Sequence, residues 1–104
     1  MFVEQRIYTI KPGQVPDYLA LYEAEGFAVQ THHLGQPVGY YSSEIGELSQ
    51  IVHIWRYEDL ADRQRRRAAL FADPAWKSVV TKLYAMIDRM ENKILVPAPF
   101  FKLS

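Results

Sequence analysis

An eight-residue stretch, QIVHIWRY from Gln50 to Tyr57, constrains this chain more than any other. Its β-branched and aromatic residues favour a strand, and a strand turns successive side chains to opposite faces. One face then carries Val52 and Ile54, and the other carries His53, Trp55 and Tyr57. A solvated sheet face would not select tryptophan, and a plain hydrocarbon core would not select histidine and tyrosine together. The stretch therefore predicts a sheet in which both surfaces meet something other than water.

The rest of the chain supplies partners for that strand. Phe2 to Ile10 alternates and is rich in Ile, Val, Tyr and Thr, which reads as a first strand. Pro12-Gly13 marks a turn. Pro16 suits the first turn of a helix, where its missing N–H costs nothing, and Val15, Tyr18, Leu19 and Tyr22 follow at helical spacing. Gly26 can end or bend that helix, and Phe27 to Leu34 reads as a second helical piece closed by Gly35. Val38 to Glu44 reads as a second strand, Ile45-Gly46-Glu47 as a hairpin loop, and Ser49 to Tyr57 as the third strand. Asp59 caps a helix ending near Ala72, and Asp73-Pro74 opens another. Trp76, Val79, Val80, Leu83, Ile87 and Met90 fall on one stripe of it. Ile94 to Val96 reads as a short last strand before Pro97 and Pro99, which suit an edge or a tail.

Strand, helix, strand, strand, helix, strand is the ferredoxin-like βαββαβ order, an α+β class with an antiparallel sheet covered by helices on one side. At 104 residues a single domain spanning 1–104 is expected. The alternation is read as placing Val52, Ile54 and Ile7 beneath the helices. It leaves His53, Trp55 and Tyr57, with Arg6, Tyr8 and Tyr40, on the uncovered face. Exposed aromatics in such a patch call for cover, and so do Val96, Phe100 and Phe101 in the tail. A homodimer with its open sheet faces packed together provides it, and encloses a space lined by aromatic rings, an arginine and a histidine.

Bulk properties narrow the function classes. Twelve basic and twelve acidic residues cancel, which argues against a nucleic-acid binder, since such a protein needs surplus cations to displace phosphate counterions. The absence of cysteine excludes disulfides, thiolate metal sites and cysteine nucleophiles. MFVEQRIYTI goes straight into a strand pattern without a signal-peptide-like apolar run, and no run approaches a membrane span. A cytoplasmic location with no membrane partner is the expectation.

In its strings EQRIYTIKPG, YLALYEAEG, LGQPVGYYSSEIGELSQIVHIWRYEDLADRQRRRAAL, ADPAW and ILVPAPF, the chain resembles the NIPSNAP family of dimeric α+β-barrel proteins over nearly its whole length. The resemblance implies a ferredoxin-like fold and a dimer. In the wider superfamily it implies an inter-sheet cavity that can hold substrate or haem.

Candidate chemistry centres on the same face. His53 is the candidate acid or base, because a free imidazole titrates near neutrality; the competing reading is a hydrogen-bonded interior histidine that locks a dimer. Arg6 could hold a carboxylate or enolate oxygen, or instead pair with Glu4 or another interior carboxylate. Tyr8, Tyr40, Trp55 and Tyr57 are candidate ligand contacts, or rings buried with their polar tips satisfied locally. His32 and His33 are adjacent, diverge on a helix and make a poor metal pair, so no metal and no cofactor are expected. Arg63, Arg65, Arg66 and Arg67 spread around their helix, and read as a solvated surface whose stems cover aromatic rings rather than as a phosphate site. No nucleophile elbow, phosphate loop, dinucleotide fingerprint or HExxH zinc motif appears. Two functions lead, with haem handling a third that only the superfamily resemblance implies. One is a small dimeric protein binding a partly apolar ligand. The other is a cofactor-independent enzyme, of monooxygenase or isomerase type, using His53 and Arg6.

Overall fold

The computed structural model describes residues 1–103. Its elements are β1 (Phe2–Ile10), α1 (Val15–Leu21), a π-helical turn (Tyr22–Gly26), α2 (Phe27–Leu34), β2 (Gly39–Ser42), β3 (Gln50–Tyr57), α3 (Leu60–Ala72), α4 (Pro74–Tyr84) and β4 (Ile87–Leu95). The sheet order is β2-β3-β1-β4, with every neighbouring pair antiparallel. This is the ferredoxin-like arrangement read from the sequence, with all helices on one side of the sheet.

Local chemistry sets the element ends. The Asp59 carboxylate accepts the backbone N–H of Asp62 at 2.7 Å and opens α3. Asp73 accepts the N–H of Ala75 at 2.9 Å and, with Pro74 following, opens α4. Gly35 ends α2 at φ 80°, a conformation that costs a side-chain-bearing residue. Gly26 does not end its helix. It lets one widened turn pass, and the chain runs from α1 through the π-helical turn into α2.

Two sequence readings are corrected here. The helix opened by Pro74 stops at Tyr84, and Ile87 and Met90 belong to β4, which is nine residues long rather than a short piece at 94–96. Their three- and four-residue spacing continues the α4 stripe by coincidence. The N–H of Lys11 donates to the carbonyl of Met86 at 2.9 Å and draws the chain into the sheet. As an edge strand exposed on both faces, β4 has no alternation to reveal it. β2 is likewise shorter than read, at Gly39–Ser42.

The second correction concerns the faces. Ile51, His53, Trp55 and Tyr57 are buried beneath the helices, with Phe2, Glu4, Tyr8 and Ile10 of β1. Val52, Ile54 and Ile7 lie on the open face with Val3 and Tyr41, only half-buried or exposed. The physical reason is volume. A helix packed on a sheet leaves roughly 10 Å to fill, and indole, phenol and imidazole rings fill it better than valine while burying far more apolar area. The polar tips of the rings suggested an outward face, yet their bodies made the core. Val96 and Phe100 of the tail stay exposed. No helix of the described residues is long and apolar enough to cross a membrane.

Candidate functional site

Strand register assembles the site. Side chains opposite one another in antiparallel strands share a face, so one rung across the sheet reads Tyr40, His53, Arg6, Asn92, from β2 to β4. Beneath the helices this rung meets Tyr18 and Tyr22. The Tyr22 ring stacks on Tyr40 at 4.8 Å between centroids, Tyr40 stacks on His53 at 4.9 Å, and Tyr8 meets the imidazole edge-on at 4.7 Å. The Tyr22 hydroxyl donates to Gln30 Oε1 across the π-helical turn.

His53 is 1% exposed. The indole Nε1–H of Trp55 donates to its Nδ1 at 2.7 Å. An indole nitrogen can only donate, so Nδ1 is an acceptor and the neutral ring carries its proton on Nε2. That Nε2 is buried without a hydrogen-bond partner. Burial, helped by the positive charge of Arg6, lowers the His53 pKa to about 3, and the more favourable field of Glu4 does not offset them. The imidazole is therefore a neutral hydrogen-bond donor. Of the two sequence readings for His53, acid or base and hydrogen-bonded interior histidine, the geometry has the features of the second, with Nδ1 bonded to Trp55 inside the core.

Arg6 is the electrostatic neighbour of that donor. Its Nε donates to the Tyr8 hydroxyl at 2.8 Å and its NH1 to Glu4 Oε2 at 3.0 Å. Since the Tyr8 oxygen accepts from Arg6, its own proton remains to be donated. Burial raises the Tyr8 pKa further than the Arg6 cation lowers it, so the phenol stays protonated. Glu4 is fully buried and bound on all sides. Arg63 clamps both its oxygens at 3.1 and 2.8 Å, and Asn92 Nδ2 donates at 2.7 Å. Burial opposes its charge, but these donors and Arg6 outweigh it and hold the carboxyl at about 2. The ion pair between Arg6 and Glu4, one of the two sequence readings for Arg6, is thus realised.

The enclosed space beside the rung is about 20 Å³, bordered by Arg6, Tyr8, Tyr40, His53, Arg67 and Phe71. That is room for one water molecule. It lies between helices and sheet of a single chain, not between the open faces of two sheets as the sequence reading placed it. A haem does not fit this space, which is too small and where neither His53 nitrogen offers a lone pair. Trp55 and Tyr57 are core, at 0% exposure, with Trp55 acting on the site through its bond to His53. His33 pairs with Asp73 at 2.9 Å, and His32 faces outward on α2. Sequence reasoning missed Tyr18, Tyr22 and Gln30, although Tyr18 and Tyr22 share a helix face at four-residue spacing. It missed Asn92, which fell between the helix stripe read as far as Met90 and the short strand read from Ile94.

The residues of 3–102 match the family model described as NIPSNAP. The chain belongs to the NIPSNAP family. A solved structure of an Agrobacterium tumefaciens protein, Atu4242, is 49% identical to this NIPSNAP chain and superposes with a TM-score of 0.96, with 100% of both chains covered. The Dictyostelium discoideum NipSnap homolog is 38% identical over 94 residues, which cover 90% of this chain and 41% of that protein. The chain spans less than half the length of the curated relatives it matches first. A crystal structure of an antibiotic biosynthesis monooxygenase, 17% identical with a TM-score of 0.64 over 95% of this chain, shares the fold.

Proposed function

We propose that this NIPSNAP chain is a homodimeric binding protein for a small, partly apolar molecule that places a single oxygen in the water-sized space beside His53. One observation carries the reading. A buried Nε2–H without a partner costs on the order of 1–3 kcal/mol, and here it borders a water-sized space. Tyr8 supplies a second proton and Arg6 a positive field at the same place. Such a set favours a carbonyl, enolate or phenolate oxygen. In an enzymatic version the same donors would stabilise an enolate, with the proton moved by a group other than His53. The dimer rests on the open face, where Val3, Ile7, Val52, Ile54 and Tyr41 form an apolar surface no helix covers.

The test uses 4-nitrophenol, whose ionisation is visible by absorbance. Bound to the protein, its apparent pKa should fall below the free value, and His53→Ala should remove most of that shift while leaving the fold intact by circular dichroism. A probe that binds with an unshifted pKa, or an unchanged shift in the variant, contradicts the reading.

A further inference from the structure

Two clusters of exposed apolar side chains lie at opposite corners of the sheet. The loop 43–49 joins β2 to β3 and carries Leu48 and Ile45, the latter 93% exposed. The tail beyond β4 carries Val96, Phe101 and Phe100, the last 90% exposed. Strand register fixes where each cluster sits. Gln50 pairs with Thr9, and the Ile10 N–H donates to the Ser49 carbonyl, so the loop lies at the C-terminal end of β1 on the β2 side. Leu95 pairs with Val3, so the tail leaves from the N-terminal end of β1 at the β4 edge. The clusters are therefore diagonal to each other, with the aliphatic stripe of the open face between them.

The tail cannot cover the loop of its own chain. From Val3 to Thr9 the strand runs about 20 Å, and two strand spacings add about 10 Å across the sheet. Phe101 stands six residues past Leu95, a reach of about 20 Å at full extension. The tail falls short even of that, because the Phe101 N–H donates back to the Ala98 carbonyl at 2.9 Å. A second copy brings the corners together. Sheets stack face to face with their strands nearly aligned or nearly at right angles. Aligned two-fold pairing sets each cluster over a corner that has none. Crossed pairing sets cluster on cluster: tail on tail and loop on loop about one diagonal, tail on loop about the other.

Charge decides between the two diagonals. Glu44 and Glu47 accompany Ile45 and Leu48 in the loop, and Lys102 follows Phe101 in the tail. None of these three forms an ion pair among the described residues. Like on like would gather the carboxylates of both loops in one corner and both lysines in the other, whereas tail on loop matches opposite charges.

We infer that the tail from Val96 to Lys102 is a strap for a second copy of this chain. It seats on the partner's loop 43–49 with the two sheets crossed. Phe100 and Phe101 pack against the partner's Ile45 and the partner's Leu48, and Lys102 meets the partner's Glu44 and the partner's Glu47. Two-fold symmetry makes the contact twice. The strap rests on the homodimer proposed above, and adds to the open faces a second surface that fixes how the copies cross.

The absence of cysteine makes the chain suited to site-directed cross-linking. Leu48→Cys chains and Phe101→Cys chains are purified separately, mixed, left to exchange and treated with a short bismaleimide. The mixture should give a covalent dimer on denaturing electrophoresis, and neither variant alone should. Ending the chain at Pro97 should raise the dimer dissociation constant, read by sedimentation, by about tenfold to a hundredfold, with circular dichroism unchanged. Lys102→Glu should raise it by about fivefold to tenfold, and adding Glu44→Lys and Glu47→Lys to the same chain should restore it. Three results overturn the strap while the homodimer stands: no link in the mixture, a link in Phe101→Cys alone, or an unchanged dissociation constant after truncation. If the unaltered chain sediments as a monomer at micromolar concentration, both readings fall.

Discussion

His53 and Glu4 are two buried polar groups whose environments push in different directions with the same consequence for acid. His53 is neutral in the folded state with a pKa near 3, below its ordinary value of 6.5. The unfolded chain therefore binds a proton that the folded chain refuses, and stability falls as pH drops from about 6.5 to about 3. Glu4 is charged in the folded state with a pKa near 2, below its ordinary 4.5. Its contribution is present above 4.5 and is lost as pH falls from there towards 2. Urea midpoints should thus decline below pH 6.5 and collapse below pH 4.5. Glu4→Gln should flatten the lower part of that profile. At neutral pH it should cost about 3–5 kcal/mol, because Arg6 and Arg63 lose the charge they converge on. A variant whose midpoint matches the unaltered protein at pH 7 would show that the cluster is solvated rather than buried. The role of Glu4 was legible in the sequence only as a neighbour for Arg6. The partners that fix it, Arg63 and Asn92, are 59 and 88 residues away, and no local pattern connects them.

Among the elements, caps and turn residues were the readable part. Asp59, Asp73-Pro74 and Gly35 each did at an element end what their chemistry dictates. Which face of β3 looks inward was not readable from polarity, because ring area decides burial and the heteroatoms are settled afterwards by partners such as the Trp55 indole. The extent of β4 was hidden for a different reason: an edge strand wet on both sides leaves no period of two. The π-helical turn carries its own prediction. Glycine to alanine inside a helix ordinarily gains about 1 kcal/mol. At Gly26 the added Cβ would stand 2.9 Å from Tyr22 Cδ1 and 3.5 Å from Trp76 Cζ3. The Tyr22 ring must move, loosening its stack on Tyr40 and its bond to Gln30. Gly26→Ala should therefore destabilise by about 1–3 kcal/mol and alter the near-ultraviolet circular dichroism of the tyrosines. A gain in stability would mean that the turn has slack the geometry denies.

For the molecule as a whole, the helix-covered half of the sheet is finished within one chain and the open half is not. Trp55 is dry without any partner, so an aromatic patch is not what calls for a second copy. The aliphatic stripe of Val3, Ile7, Val52 and Ile54 takes over that argument. On the proposal of a homodimer, the unaltered chain should sediment as a dimer at micromolar concentration, and Ile54→Glu, which puts a charge at the centre of the stripe, should sediment as a monomer with tryptophan emission still blue-shifted. A red shift on dissociation would return Trp55 to the interface and undo the assignment of faces. The account depends most on the protonation of one enclosed ring, which nitrogen-15 NMR of the histidines reads directly. It predicts that His53 shows a protonated Nε2 and an unprotonated Nδ1, and keeps that pattern without titrating from pH 8 down to pH 5. A proton on Nδ1, or a midpoint between pH 6 and 7, would contradict it.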